Sequence, residues 1–126
     1  MKMTDILHRY YGDFDLINEK WNEDYESILI KPKVDQEYKR CRLAKKTPKK
    51  EGYFTVFWKK DQDNKNIPYT DRDLGDELVI VVIDDCHCGL FIIPIEFSFS
   101  ILSCFYYLFC SKVKLLTSLH YLSEKL

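Results

Sequence analysis

Six cations fall within residues 40–50 of this chain: Arg40, Arg42, Lys45, Lys46, Lys49 and Lys50. Side chains of this kind, gathered on one surface, hold phosphate oxygens, and the backbone N–H groups of a turn or helix start add further donors. A phosphate polymer bound this way releases counterions, so its affinity falls steeply with salt. Tyr53, Phe57 and Trp58 follow closely and, where exposed, offer faces on which bases stack. The competing reading is a solvated strand edge whose lysines discourage edge-to-edge pairing. The cations are not diluted by neighbouring acids. Residues 31–60 carry eleven basic and three acidic groups, an excess of +8, while residues 1–30 carry −4 and residues 61–85 carry −6 within a formal net charge of −1. Such a local excess is a statement about partners.

Other chemistry is less well supported. Asp71, Asp73, Asp76 and Glu77 would suit Mg²⁺ or general acid–base work, but aspartates ahead of a strand are more often turn formers and caps. Cys86-His87-Cys88 lacks a second ligand pair at zinc spacing. Neither thiol has an identifiable activating base or oxyanion site. His8 and His120 are isolated, and there is neither a P-loop nor a GxGxxG motif. This reading assigns no catalytic residue, no metal and no cofactor. The cysteines, at 41, 86, 88, 104 and 110, are odd in number and match no disulfide framework, so reduced thiols in a cytoplasm are expected. The opening MKMTDILHRYYGDFD has no apolar core of the secretory-signal kind.

The elements that must position these residues follow from periodicity. At 126 residues and 46% hydrophobic, with 4 Gly and 4 Pro, the chain suits one domain with one core rather than disorder. Thr4 is placed to cap a short helix with Ile6, Leu7, Tyr10 and Tyr11 on one side, and the spacing of Phe14, Ile17 and Trp21 predicts helix beyond it. Residues 27–30 read as a strand stopped by Lys31-Pro32. Residues 38–46 read as its hairpin partner, with Arg40, Arg42 and Lys46 on a basic face and Cys41 and Leu43 on the other. Thr47 to Gly52 is a turn. Residues 53–58 are apolar on both faces, Phe54, Val56 and Trp58 on one and Tyr53, Thr55 and Phe57 on the other. That predicts a central, doubly covered strand with Phe54, Val56 and Trp58 in the core. An acidic connection spans 61–76, then LVIVVI at 78–83 is the strongest strand signal, with a returning strand at 89–93 ended by Pro94. The fold class is α+β: N-terminal helices packed on a mostly antiparallel sheet of about five strands.

RLAKKTPKKEGYFTVFWKK, IPYTDRDLGDELVIVV and CGLFIIP together resemble the MepB-like family of small bacterial proteins. The matching positions are Arg42, Ala44, Lys45, Thr47, Pro48, Lys49, Lys50, Gly52, Phe54, Trp58 and Lys59, with Lys60 where Arg is usual. Pro68, Tyr69, Asp73 and Asp76 follow, then Gly89, Phe91 and Pro94. The resemblance covers roughly residues 23–94, and it implies an α/β fold similar to restriction-endonuclease-like cores. Such nucleases hold Mg²⁺ with an Asp on one strand and an acid-x-Lys pair on the next. Here the comparable strand is Arg42-Leu43-Ala44-Lys45, so an arginine occupies the acid's place and would repel the metal.

Past Pro94 the pattern departs. Family members continue with a polar helix and a basic, aromatic end, whereas residues 97–111 here carry no charge. The expected organisation is a MepB-like domain over residues 1–94, incomplete at its C-terminal side, and an apolar tail over 95–126. Loss of the reading frame near residue 95 would produce this, and a divergent helical tail is the alternative. The uncharged run falls short of the ~20 apolar residues of a membrane span.

The expected function is non-catalytic binding of nucleic acid or another polyanion through Arg40, Arg42, Lys45, Lys46, Lys49 and Lys50. The alternatives are a regulatory module whose basic patch meets an acidic protein partner, and a degenerate relative of the nuclease fold. A membrane partner is not expected.

Overall fold

A computed structural model describes residues 2–46, 53–67, 69, 73, 75–84, 87–94, 106–109 and 120–125. One helix, α1 (Met3–Tyr11), opens the chain. It begins one residue ahead of the expected Thr4 cap, where the Lys2 backbone N–H donates to Asp5 Oδ2 at 2.9 Å. Gly12, at φ +73°, ends it in a conformation that costs glycine little.

The second predicted helix is instead a strand, β1 (Phe14–Asn18), antiparallel to β2 (Ile28–Pro32). Three residues at helical spacing could not outweigh the unpaired backbone of the Ile28-Leu29-Ile30 strand, which needs a neighbour on each side. Between β1 and β2 lies a 3₁₀ turn over Glu23–Tyr25, flanked by Asn22 and Glu26 in the left-handed region.

The hairpin expected across Pro32 to Glu37 forms: β2 pairs antiparallel with β3 (Lys39–Leu43), Leu29 opposite Arg40. The chain then leaves the main sheet. β4 (Lys45–Lys46), β5 (Tyr53–Val56), β6 (Lys59–Lys60) and β7 (Asn66–Ile67) build smaller sheets before β8 (Glu77–Asp84) returns parallel to β3. β9 (His87–Pro94) folds back antiparallel on β8. Two further strands, β10 (Tyr106–Phe109) and β11 (His120–Lys125), pair with β5 and β9. The main sheet runs β1-β2-β3-β8-β9-β11, and a three-stranded sheet runs β10-β5-β4. The architecture is α+β and mostly antiparallel, with β3–β8 as the parallel exception.

Each face of the main sheet carries its own core. Under α1 lie Ile28, Ile30, Cys41, Val79, Val81 and Leu90, packed on Met3, Ile6 and Leu7. On the opposite face Leu78, Ile80, Phe91 and Ile93 pack on Ala44, Phe57 and Tyr69 from the excursion between β3 and β8. Burying each such Ile, Leu or Phe side chain is worth about 1.5–3 kcal/mol, and β8 contributes to both faces because its successive side chains alternate. β5 is central within its small sheet as expected, but its burial has the opposite phase. Thr55 and Phe57 are buried, while Phe54, Val56 and Trp58 are half-buried. Two apolar faces in a sequence do not say which will meet the larger sheet.

Candidate functional site

Parallel pairing sets Arg40 beside Leu78 and Arg42 beside Ile80, which turns both arginines onto the inner face covered by Phe57 and Tyr69. The expected solvated basic face on β3 is therefore corrected: Arg40 is 5% exposed and Arg42 is 0% exposed. Both charges are met by one carboxylate. Glu19, just after β1, accepts from Arg42 Nη1 at 2.7 Å and from Arg40 Nε at 2.9 Å.

The remaining donors of Arg42 are all placed. Nε and Nη2 donate to Asn22 Oδ1 at 3.3 and 3.1 Å, Nη2 to the Tyr69 hydroxyl at 3.3 Å, and Nη1 also to the Cys41 carbonyl at 2.9 Å. With the Glu19 bond these occupy all five guanidinium N–H groups. The Tyr69 hydroxyl in turn donates to Glu19 Oε2 at 3.2 Å, and its ring lies 3.9 Å beneath the Arg40 guanidinium. Asn22 also accepts from the Trp58 backbone N–H at 3.2 Å, so one side chain joins the 19–27 loop, β3 and the end of the β5 segment. Its left-handed backbone is one that asparagine tolerates. Its Nδ2 is buried without a hydrogen-bond partner, as is Thr55 Oγ1.

Burial pushes the Glu19 carboxyl up, but the charges of Arg42 and Arg40 and their hydrogen bonds outweigh it and hold Glu19 below its ordinary range. Burial, followed by the Glu19 charge, pushes the Tyr69 hydroxyl up. A network of this kind fixes positions, and it leaves Arg42 no N–H for a ligand. Gly75 closes over it. A Cβ there would stand 2.9 Å from Arg40 Nη1, and its φ of +129° is one that other residues rarely adopt.

The other expected site residues separate by position. Lys45 and Lys46 are exposed on β4, an edge strand of the small sheet. Lys45 Nζ lies 4.9 Å over the Tyr25 ring, which meets Phe54 edge-on at 5.9 Å. Lys60 over Trp58 at 5.0 Å and Lys20 over Trp21 at 4.6 Å repeat the pairing of cation and aromatic face. Lys49, Lys50 and the Thr47–Gly52 turn lie outside the described residues.

The acidic residues serve structure. Asp73 accepts from Lys59 Nζ at 2.7 Å, Asp76 from the Tyr38 N–H at 3.0 Å, and Glu77 from Lys39 Nζ at 2.6 Å, while Asp71 lies outside the described residues. Lys39, itself buried, also meets Asp35 at 3.1 Å and Glu37 at 3.3 Å. Cys41 and Cys88 are buried, and Cys86 lies outside the described residues. Among the described residues no group of three His, Cys, Asp or Glu side chains is placed to hold a metal ion, and no helix is long and apolar enough to cross a membrane. Sequence reasoning missed Glu19, Asn22 and Lys39. Glu19 has no local signal, since its partners lie 21 and 23 residues away. Tyr69, within the Pro-Tyr pair of the resemblance, was the one visible clue.

The fold is shared with a known protein. A crystal structure of MepB superposes with a TM-score of 0.72 at 32% identity, over 91% of this chain and 87% of that one. No curated protein matches the chain. The family model described as MepB-like matches residues 19–102, a stretch that begins at Glu19 and takes in both arginines, Tyr69 and strands β2 to β9. The chain belongs to the MepB-like family.

Proposed function

We propose that this chain binds nucleic acid, or another polyanion, without catalysis, through Lys45 and Lys46 on β4 and through Lys49 and Lys50, which follow in the sequence. The observation that carries the reading is the exposure of Lys45 and Lys46 on an edge strand beside the Tyr25 and Phe54 rings. Ammonium groups there meet phosphates, and ring faces stack on bases once the lysines turn outward. Arg40 and Arg42 act in this reading as the buried frame that holds β3, and so β4, in place.

The finer parts of the proposal are a kinship with restriction-endonuclease-like cores and a cytoplasmic location. The mixed sheet with its parallel β3–β8 pair is compatible with the first, and the two buried cysteine thiols with the second. Arg42 stands where such nucleases carry an acid, with its charge committed to Glu19. That residues 95–126 form an apolar tail outside the family pattern is likewise a proposal, beside a family match that reaches residue 102, and sequencing the downstream DNA for family-like codons in another frame tests it.

A mobility-shift titration at increasing salt tests the binding. The wild type should shift both DNA and RNA with a log–log salt slope of several units, and the Lys45→Glu/Lys46→Glu pair should abolish the shift. No shift at low salt would refute the reading and direct attention to an acidic protein partner. Cleavage with Mg²⁺ or Mn²⁺ above a Lys45→Ala control would overturn the non-catalytic part.

A further inference from the structure

One end of the main sheet lies in a segment whose charge is opposite to that of β4, residues 1–30 summing to −4. β1 is its edge strand. The Lys33 N–H donates to the Asp13 carbonyl and the Glu19 N–H to the Ser27 carbonyl, so with the β1–β2 register the odd residues 13, 15, 17 and 19 bond inward to β2. Phe14, Leu16 and Asn18 then direct their backbone N–H and C=O groups away from the sheet. Among the described residues no strand pairs with them. Leu16 is 41% exposed and Ile17 52% exposed, one on each face of the strand. The strand carries no proline or lysine, and its one charge, Asp15, is paired with Lys33.

A groove of about 380 Å³ runs along this edge, lined by Met3, Leu16, Asn18, Glu23, Glu26 and Ile28 among others. Its floor is apolar. On its rim Glu23 and Glu26 are exposed and, among the described residues, have no cationic partner, whereas Glu19 is neutralised by Arg40 and Arg42. The open backbone row, the apolar floor and the acidic rim share one complement. We propose that β1 is a docking edge for an extended, lysine- or arginine-bearing segment of a partner protein, which adds as a further strand. Its backbone pairs with Leu16 and Asn18, alternate apolar side chains cover Leu16, and its cations meet Glu23 and Glu26. A second copy of this chain is the poorer fit, because residues 1–30 carry −4 and two such edges repel.

A fluorescein-labelled peptide of four Lys-Val repeats, blocked at both ends, probes the edge. Anisotropy should show salt-sensitive binding, and Glu23→Lys/Glu26→Lys should weaken it about tenfold. A peptide with Glu for Lys should not bind. Amide hydrogen exchange followed by NMR locates the contact: Leu16 and Asn18 should slow about tenfold or more in the complex, while Asp15 and Ile17, already bonded to β2, should not. Leu16→Pro removes an outward N–H without touching the ladder to β2 and should abolish binding. Peptide N-methylated at alternate amides should fail equally, and it tests the same bond without altering the protein. Binding that leaves Leu16 and Asn18 unprotected, binding unchanged by N-methylation, or a dimer of the free chain that Leu16→Pro dissolves would each overturn the proposal.

Discussion

β3 and β4 are consecutive, both basic and separated by Ala44, yet they treat charge in opposite ways. On β3 the arginines are sealed under Phe57 and Tyr69, where two guanidinium groups share Glu19. On β4 the lysines stand in water. Removing one partner of a buried pair leaves an uncompensated charge in a poorly solvated place, whereas losing an exposed lysine disturbs little. The same residue class thus serves architecture in one strand and is available to a ligand in the next. At these four positions residue type follows the split, planar guanidinium forks meeting a fixed carboxylate and flexible ammonium groups standing at the surface, while Lys39 on β3 is an ammonium buried among Asp35, Glu37 and Glu77.

Arg42→Ala should have the largest effect. It leaves Glu19 with Arg40 as its one guanidinium partner, takes two donors from Asn22 Oδ1 and empties a fully buried site, and should cost about 3–5 kcal/mol in urea unfolding. A loss within the range of a surface substitution would show that the buried network is not what orders β3.

Glu19→Gln tests the same network through pH. The folded Glu19 carboxyl lies below its ordinary value of 4.5. Its contribution is therefore fully present above that value, and it is lost as pH falls through the depressed folded value. The wild type should lose stability on this acid limb, and the Gln variant, already destabilised, should show a flatter limb in unfolding curves between neutral and acidic pH. Equal slopes would sink the assignment of Glu19 as the counter-charge.

Gly75→Ala should cost about 1–3 kcal/mol through its positive φ, with a further penalty if Arg40 must move away from the new Cβ. The thermal-unfolding cost of Gly75→Ala measured in the wild type and again in an Arg40→Ala background separates the two, since the second background has no guanidinium to clash with and retains the strain.

The smallest stability effect belongs to Lys45→Ala/Lys46→Ala, expected within about 0.5 kcal/mol of wild type. In a mobility shift the same pair should lower the log–log salt slope by about 2, roughly 1 per lysine. A stable variant with an unchanged slope would leave β4 without its proposed role.

Much of the scaffold was legible in the sequence. The β8 strand follows from an unbroken β-branched run, the β2–β3 hairpin from an apolar strand and an alternating, one-face-basic strand on either side of Pro32 to Glu37, and the MepB-like kinship from the TPKKEGYF stretch and its flanks. The helix expected over 14–21 failed because its signal was three apolar residues, and pairing with β2 satisfied more backbone than a short helix could. The candidate site was half legible. The alternation of Arg40, Cys41, Arg42 and Leu43 was read correctly as two faces, but the basic face was assigned to solvent.

By itself, then, the sequence determined which residues share a strand face, because side-chain alternation is a local property of extended backbone. It also determined where charge of one sign accumulates. Only the tertiary structure decided which face is covered, since that depends on the 44–76 excursion folding back to set Phe57 and Tyr69 over β3. It decided, too, that Glu19, more than twenty residues away, would pair with both arginines. A buried ion pair is chosen by geometry across the fold, and no spacing along the chain encodes it.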